Sequence, residues 1–146
     1  MDADGALSES TVPGAGARRW LPPVVLMAAI AWESHHTLPV ELRHQSDKLL
    51  HALAFGLVAL LWYWALAPRP ISTGRLALLA FTIATAWGIL DEFHQSFVPG
   101  RDADVLDAVS DAVGAALAVL AARRWYRRAA PGTARPVPRG GAVGSR

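Results

Sequence analysis

The sequence contains no cysteine, and that absence removes disulfides, thiolate metal sites and a cysteine nucleophile together. Any metal would have to be held by oxygen and imidazole ligands. Charge is scarce as well: 18% of the 146 residues are charged against 53% hydrophobic, too apolar a balance for an ordinary soluble domain of this length. Also missing is any module with aromatics interleaved among basic residues, so the basic pI of about 9.7 does not point to nucleic acid as a partner. The basic residues instead flank apolar runs. Trp62, Trp64 and Trp125 lie in or at the ends of those runs, where tryptophan anchors a helix at a membrane surface.

Residues 1–16 are rich in Gly, Ala, Ser, Asp and Thr without periodicity, and residues 127–146 in Arg, Pro and Gly, so both ends read as disordered tails, the second of them basic. Residues 17–126 read as one transmembrane domain with spans at 17–34, 49–67, 74–94 and 105–125. The predicted fold is all-α: a polytopic membrane protein built as a bundle of about four transmembrane helices. The first span is the weakest. Its core LPPVVLMAAIAW has the length of the apolar region of a secretory signal, and AIA at Ala29 to Ala31 resembles a cleavage site. The long leader carrying Asp2, Asp4 and Glu9 argues against a signal, and whether this segment is retained or cleaved stays open. Cleavage would leave the orientation of the other spans unchanged.

With both termini cytoplasmic, eleven of the fourteen basic residues fall inside, and only Arg43, Lys48 and Arg101 fall outside. The positive-inside rule therefore predicts a multi-pass protein of the cell membrane in that orientation. Residues 32–51 and 90–111 then face the outside, and they hold all five histidines and nine of the twelve carboxylates. Polar loops between helices are ordinary, and that reading covers Glu41, Arg43, His44 and Asp102. It does not cover charges inside the spans.

An ionisable side chain in a membrane span costs about 2.5–3.5 kcal/mol on insertion scales, so such groups face the bundle interior and pair there. At 100° per residue, Asp104, Asp107, Asp111 and Gly114 share a stripe roughly 80° wide, and Gly114 lets another helix approach it. Gly88, Asp91, Glu92 and Gln95 fall within about 100° of one another near the outer end of the third span, with His94 displaced from their centre. Asp47 and His51 are one turn apart at the start of the second span and share a face. Asp47 and Asp104 also suit the positive end of a helix dipole, a purely structural role. Asp107 and Asp111 lie inside their span, where two carboxylates one turn apart repel unless protonated, cation-bound or paired; they are the strongest functional candidates. The connection FVPGR is a compact turn in which Pro99 fixes φ and Gly100 can take positive φ, aiming Arg101 back at the carboxylates, to neutralise them or to bind a phosphate.

DKLLHALAF (Asp47 to Phe55), GILDEFHQSFVPGR (Gly88 to Arg101) and DVLDAVSDAVGA (Asp104 to Ala115) resemble the VanZ-like family of small bacterial membrane proteins. The resemblance spans about residues 20–122 and rests on the combination of Asp-Lys-x-x-His, Glu-x-x-Gln before Pro-Gly-Arg, and an Asp six residues after that Arg. The family's polar signature falls on Asp47, Lys48, His51, Glu92, Gln95, Arg101, Asp107, Asp111 and Gly114. Asp111 stands where members often carry Asn, and Phe55 where Tyr is common. The resemblance implies a membrane protein of the cell envelope, linked in some members to teicoplanin resistance.

Three functions fit these residues. In the first, an extracytoplasmic polar cleft of Asp47, Lys48, His51, Glu92, Gln95, Arg101, Asp107 and Asp111 binds a membrane lipid or a lipid-linked cell-wall precursor by its headgroup, with Arg101 and Lys48 on anionic oxygens. In the second, the protein is an intramembrane enzyme acting on a lipid headgroup, with His51, Glu92, Asp107 and Asp111 holding a metal, or Glu92 and His51 as an acid and base pair. In the third, the polar groups form a buried network that fixes helix register. No complete metal or nucleophile signature is present, and Ser34 and Ser110 have no evident triad. Four spans without an inverted repeat disfavour a transporter or channel. The sequence leaves cofactor and oligomeric state open.

Overall fold

The computed structural model describes residues 15–35, 44–101 and 103–129. The expected tails fall largely outside the described residues, as do the loop residues Glu41, Arg43 and Asp102 and the side chain of His44. Five helices follow in order: α1 (Ala15–Arg18), α2 (Leu21–Ser34), α3 (His44–Leu66), α4 (Thr73–Gln95) and α5 (Val105–Ala129). No strand occurs among the described residues.

Local chemistry sets the helix ends. A proline in the first turn of α2 occupies a place where its missing N–H and fixed φ cost nothing. Ser72 precedes α4, and its hydroxyl accepts the Arg75 N–H at 3.3 Å. Beyond α4, the Arg101 N–H bonds the Val98 carbonyl at 3.1 Å across Pro99 and Gly100, and Gly100 has φ 83°. Proline before a positive-φ glycine is the pairing a type II turn requires. Before α5, an Asp104 carboxylate oxygen accepts the Leu106 N–H at 2.8 Å. α5 runs three residues past the boundary expected at 126, with Arg127 and Arg128 in its last turn against the negative end of the helix dipole. α1 likewise lies partly in residues expected to be tail.

Among the described residues three helices are long and apolar enough to cross a membrane: Asp47–Leu66 of α3, Thr73–Gln95 and Val105–Ala129. At 1.5 Å per residue their lengths are roughly 30–37 Å, against a hydrocarbon core of about 30 Å. The first expected span is present as a fourth helix of different character. With 14 residues α2 reaches roughly 21 Å, and it packs beside α3 and α4 rather than matching their length.

The bundle centres on α3, which packs most extensively on α5 and then on α4. Its interior is built from small residues on α4 and α5, with Ala77, Ala80, Ala84 and Ala115 buried against Val58, Tyr63 and Leu66 of α3. Large aliphatics such as Leu53, Leu57, Leu78, Leu79, Val113 and Leu117 point outward. Small inside and large outside is the packing of membrane helices, whose association depends on close backbone approach. Gly114 shows how close: a Cβ there would overlap the Ala52 carbonyl, and one at Gly56 would lie 3.2 Å from the Gly114 oxygen.

At one end of the bundle α2 is tied to the last turns of α3. The Arg19 guanidinium lies 4.1 Å over the Trp64 ring, and Trp20 meets Trp62 edge-on at 5.9 Å. Trp62 departs from its expected role as a surface anchor, since it is buried and directs its indole N–H at the Met27 sulfur, 3.2 Å away. Trp125 at the end of α5 is exposed, as an anchor would be. The opposite end of the bundle collects the polar residues.

Candidate functional site

The inner face of α4 runs Ala77, Ala80, Ala84, Gly88 and then Asp91, Glu92 and Gln95, all buried. Spacing of three and four keeps them on one stripe, and the stripe turns from apolar to polar within its last two turns. The inner face of α5 does the reverse from its start, with Asp107 and Asp111 before Gly114, Ala115 and Val119. α3 enters the same level with Asp47, Lys48 and His51. Three neighbouring helices, α3 and α5 parallel and α4 antiparallel to both, therefore bring their polar turns together at one depth, above the alanine-rich core.

Two networks result. In the first, the Lys48 ammonium donates to Asp104 at 2.6 Å and to Asp107 at 2.7 Å, joining α3 to the start of α5. One turn deeper, the Nδ1 nitrogen of His51 lies 3.0 Å from Asp111, and the imidazole stacks parallel to Phe55 at 6.4 Å. As donor to a carboxylate, that ring nitrogen carries the proton. Glu92 of α4 closes the network by accepting the Asp104 backbone N–H at 2.9 Å. Each pair joins residues far apart in sequence.

The second network lies on the α2 side. Ser34 donates to Asp91 at 2.7 Å, and Gln95 donates to the same Asp91 oxygen at 3.0 Å. All three are buried. Nearby Arg101 reaches α2, where it bonds the Glu33 carbonyl at 3.1 Å and lies 3.5 Å from its carboxylate. Arg101 thus reaches across the end of α4 towards α2, where Glu33 is one of its partners.

Between the networks opens a cleft of about 560 Å³. Its lining mixes the apolar Ala29, Ile30, Leu50, Ala54 and Phe55 with the polar Glu33, Ser34, Asp47, His51, Asp91, Gln95 and Arg101. Lys48, Asp107 and Asp111 do not line it; they stand behind His51, with Glu92. The eight residues expected to form one cleft thus divide into four at its wall, Asp47, His51, Gln95 and Arg101, and four in the packed network behind.

Ser34, Asp91, Glu33 and Asp104 belong to the site and were outside the expected set. Asp91 had a signal, sharing a face with Gln95 one turn away. Ser34 had none, since its neighbour lies 57 positions on. Neither serine heads a nucleophile triad: Ser34 donates to a carboxylate, and Ser110 donates to the Leu106 carbonyl of its own helix. His94 lies off the site and meets His35 at 3.3 Å on the exposed side.

Two carboxylate oxygens in the network, Oε1 of Glu92 and Oδ2 of Asp111, are buried without a hydrogen-bond partner. One ligand atom from each of His51, Glu92 and Asp111 falls within 4.8 Å of the others, and the same holds for Asp47, His51 and Asp107. Both trios have the oxygen and imidazole chemistry left open by the absence of cysteine.

No solved structure matches the chain. An uncharacterised protein of the fission yeast Schizosaccharomyces pombe is 33% identical over 92 residues, which are 62% of this chain and 53% of that protein. The chain therefore spans about half the length of that relative. The family model described as VanZ/LLP1 matches residues 15–126, which take in α1 to α4, all but the last three residues of α5, and both polar networks. By that match, and with three helices able to cross a membrane, the chain belongs to the VanZ/LLP1 family and is a VanZ-like membrane protein.

Proposed function

We propose that the cleft between α2, α3 and α4 binds the headgroup of a membrane lipid or a lipid-linked cell-wall precursor at the extracytoplasmic face. The observation that carries this reading is the mixed lining: a volume of about 560 Å³ bounded both by apolar residues and by charged or hydrogen-bonding ones. That is the shape and chemistry of an amphiphile's end, and the size lies within the usual range of ligand pockets. Arg101 faces anionic oxygens, Asp47 and Asp91 face amines or hydroxyls, and Leu50 and Ala54 meet the first methylenes of the chain. The similarity to a yeast protein favours a headgroup common to membranes over a precursor confined to bacterial walls. An effect on glycopeptide susceptibility would follow where the bound lipid alters access to the wall precursor.

A photo-crosslinkable phospholipid in reconstituted vesicles tests the reading. Label is expected on α2–α4 peptides bordering the cleft, and Ala54→Trp, which fills the apolar side, is expected to remove it. Arg101→Ala is expected to reduce labelling by about tenfold, the loss of one charged hydrogen bond worth about 1.5 kcal/mol. Labelling spread evenly over the lipid-facing leucines and unchanged by Ala54→Trp would refute the cleft.

A further inference from the structure

We infer that His51, Glu92 and Asp111 form a divalent-cation site, set behind the cleft wall at the junction of α3, α4 and α5. One ligand atom from each lies within 4.8 Å of the other two. The two carboxylates are 7% and 0% exposed, so each is more than nine-tenths buried. One oxygen of each is committed, Oε2 of Glu92 to the Asp104 N–H and Oδ1 of Asp111 to His51. The other oxygen of each is buried with no hydrogen-bond partner. Leaving a buried polar atom unsatisfied costs about 1–3 kcal/mol, more for a charged group, and here two meet in one site.

The direction of the free Asp111 oxygen is fixed by Gly88. A Cβ at that position would lie 2.6 Å from Oδ2, so this oxygen rests on the α4 backbone one turn before Glu92 and on the same buried face. The uncommitted oxygen of α5 therefore points to the helix that carries Glu92. A glycine is needed there to let it in.

Charge selects between the two trios around His51. In the Asp47 trio, Asp107 already holds the Lys48 ammonium at 2.7 Å, and an added cation would meet that charge. Among the described residues no ammonium or guanidinium is bonded to the Glu92 trio. His51 as a ligand is a neutral imidazole, so a divalent ion offsets the two buried carboxylates, Glu92 and Asp111, in a place where charge is costly. Two carboxylates with one imidazole and no thiolate suit Zn²⁺ or Mn²⁺, and three protein ligands leave coordination positions open. His51 also lines the cleft, which gives the ion its way in. The site does not depend on the headgroup reading, since a cleft that takes no lipid still leaves these oxygens facing an ion.

The test is metal retention. Detergent-purified full-length protein is stripped with chelator, exposed to Zn²⁺ or Mn²⁺, desalted, and its bound metal counted by plasma mass spectrometry. About one ion per chain is expected, with affinity at least tenfold weaker in Glu92→Gln and in Gly88→Ala, which displaces the Asp111 carboxylate while changing no ligand. Ser110→Ala, whose hydroxyl donates to the Leu106 carbonyl of its own helix, is expected to bind as the wild type does. No retained metal, or equal retention in Glu92→Gln, would overturn the site. Should the variants fail to fold, electron spin echo spectra of Mn²⁺-loaded wild type with ¹⁵N-labelled histidine decide: coupling to one histidine nitrogen supports it, and no coupling overturns it.

Discussion

Lys48 holds two carboxylates at once, and that sharing makes its removal asymmetric. Lys48→Met removes the ammonium that Asp104 and Asp107 both accept from, so it is expected to lower Tm in detergent. Adding Asp107→Leu to that variant is expected to restore part of the loss, because an apolar group replaces a charge that has lost its partner. Additive losses in the double variant would mean that the ion pair is not coupled as its geometry implies. Asp111 allows a finer distinction. Asp111→Ala removes the partner of His51 and is expected to cost about 1–3 kcal/mol of stability, whereas Asp111→Asn retains an acceptor for the imidazole and is expected to unfold close to wild type. Thermal unfolding of the two side by side checks this. At this scale the sequence was informative about faces and silent about partners. Helical spacing put Asp107 and Asp111 on one stripe and Glu92 with Gln95 on another, but it assigns no neighbour, so Arg101 paired with Glu33 and Ser34 with Asp91 only once the chain was folded.

Elements pack here by small residues, and Gly114 is the tightest point. Because a Cβ there would overlap the Ala52 carbonyl, Gly114→Ala must push α5 away from α3, and a loss of about 1–3 kcal/mol is expected from overpacking. Gly56→Ala, whose Cβ would meet an oxygen at 3.2 Å, is expected to cost less, and unfolding of both variants in the same detergent checks the order. The three long helices were legible from hydropathy and length because both properties belong to a single segment. α2 was less so. LPPVVLMAAIAW announces an apolar helix, but its length of 14 residues is set by the turn at Trp20 and by Ser34 meeting Asp91, contacts that no local pattern encodes. The Pro99 and Gly100 turn was readable, since fixed and positive φ are intrinsic to those two residues. The direction it gives Arg101 depends on where α2 lies.

Across the whole molecule, polar chemistry gathers at one end and arginines gather at the other, around Arg19, Arg69, Arg123 and Arg127. In the orientation we propose from the positive-inside rule, the cleft faces outside and the C-terminal end of α5 the cytoplasm. The natural lack of cysteine makes this direct to check: Ser96→Cys is expected to react with a membrane-impermeant maleimide on intact cells, and Arg128→Cys only after permeabilisation. The reverse pattern would invert the topology. Whether the cleft holds an amphiphile is read by native mass spectrometry of the detergent-purified protein, wild type beside Ala54→Trp. A lipid mass is expected to be retained by the wild type at about one per chain and to be absent from the filled variant. Equal lipid retention by both, or none by the wild type, would contradict it.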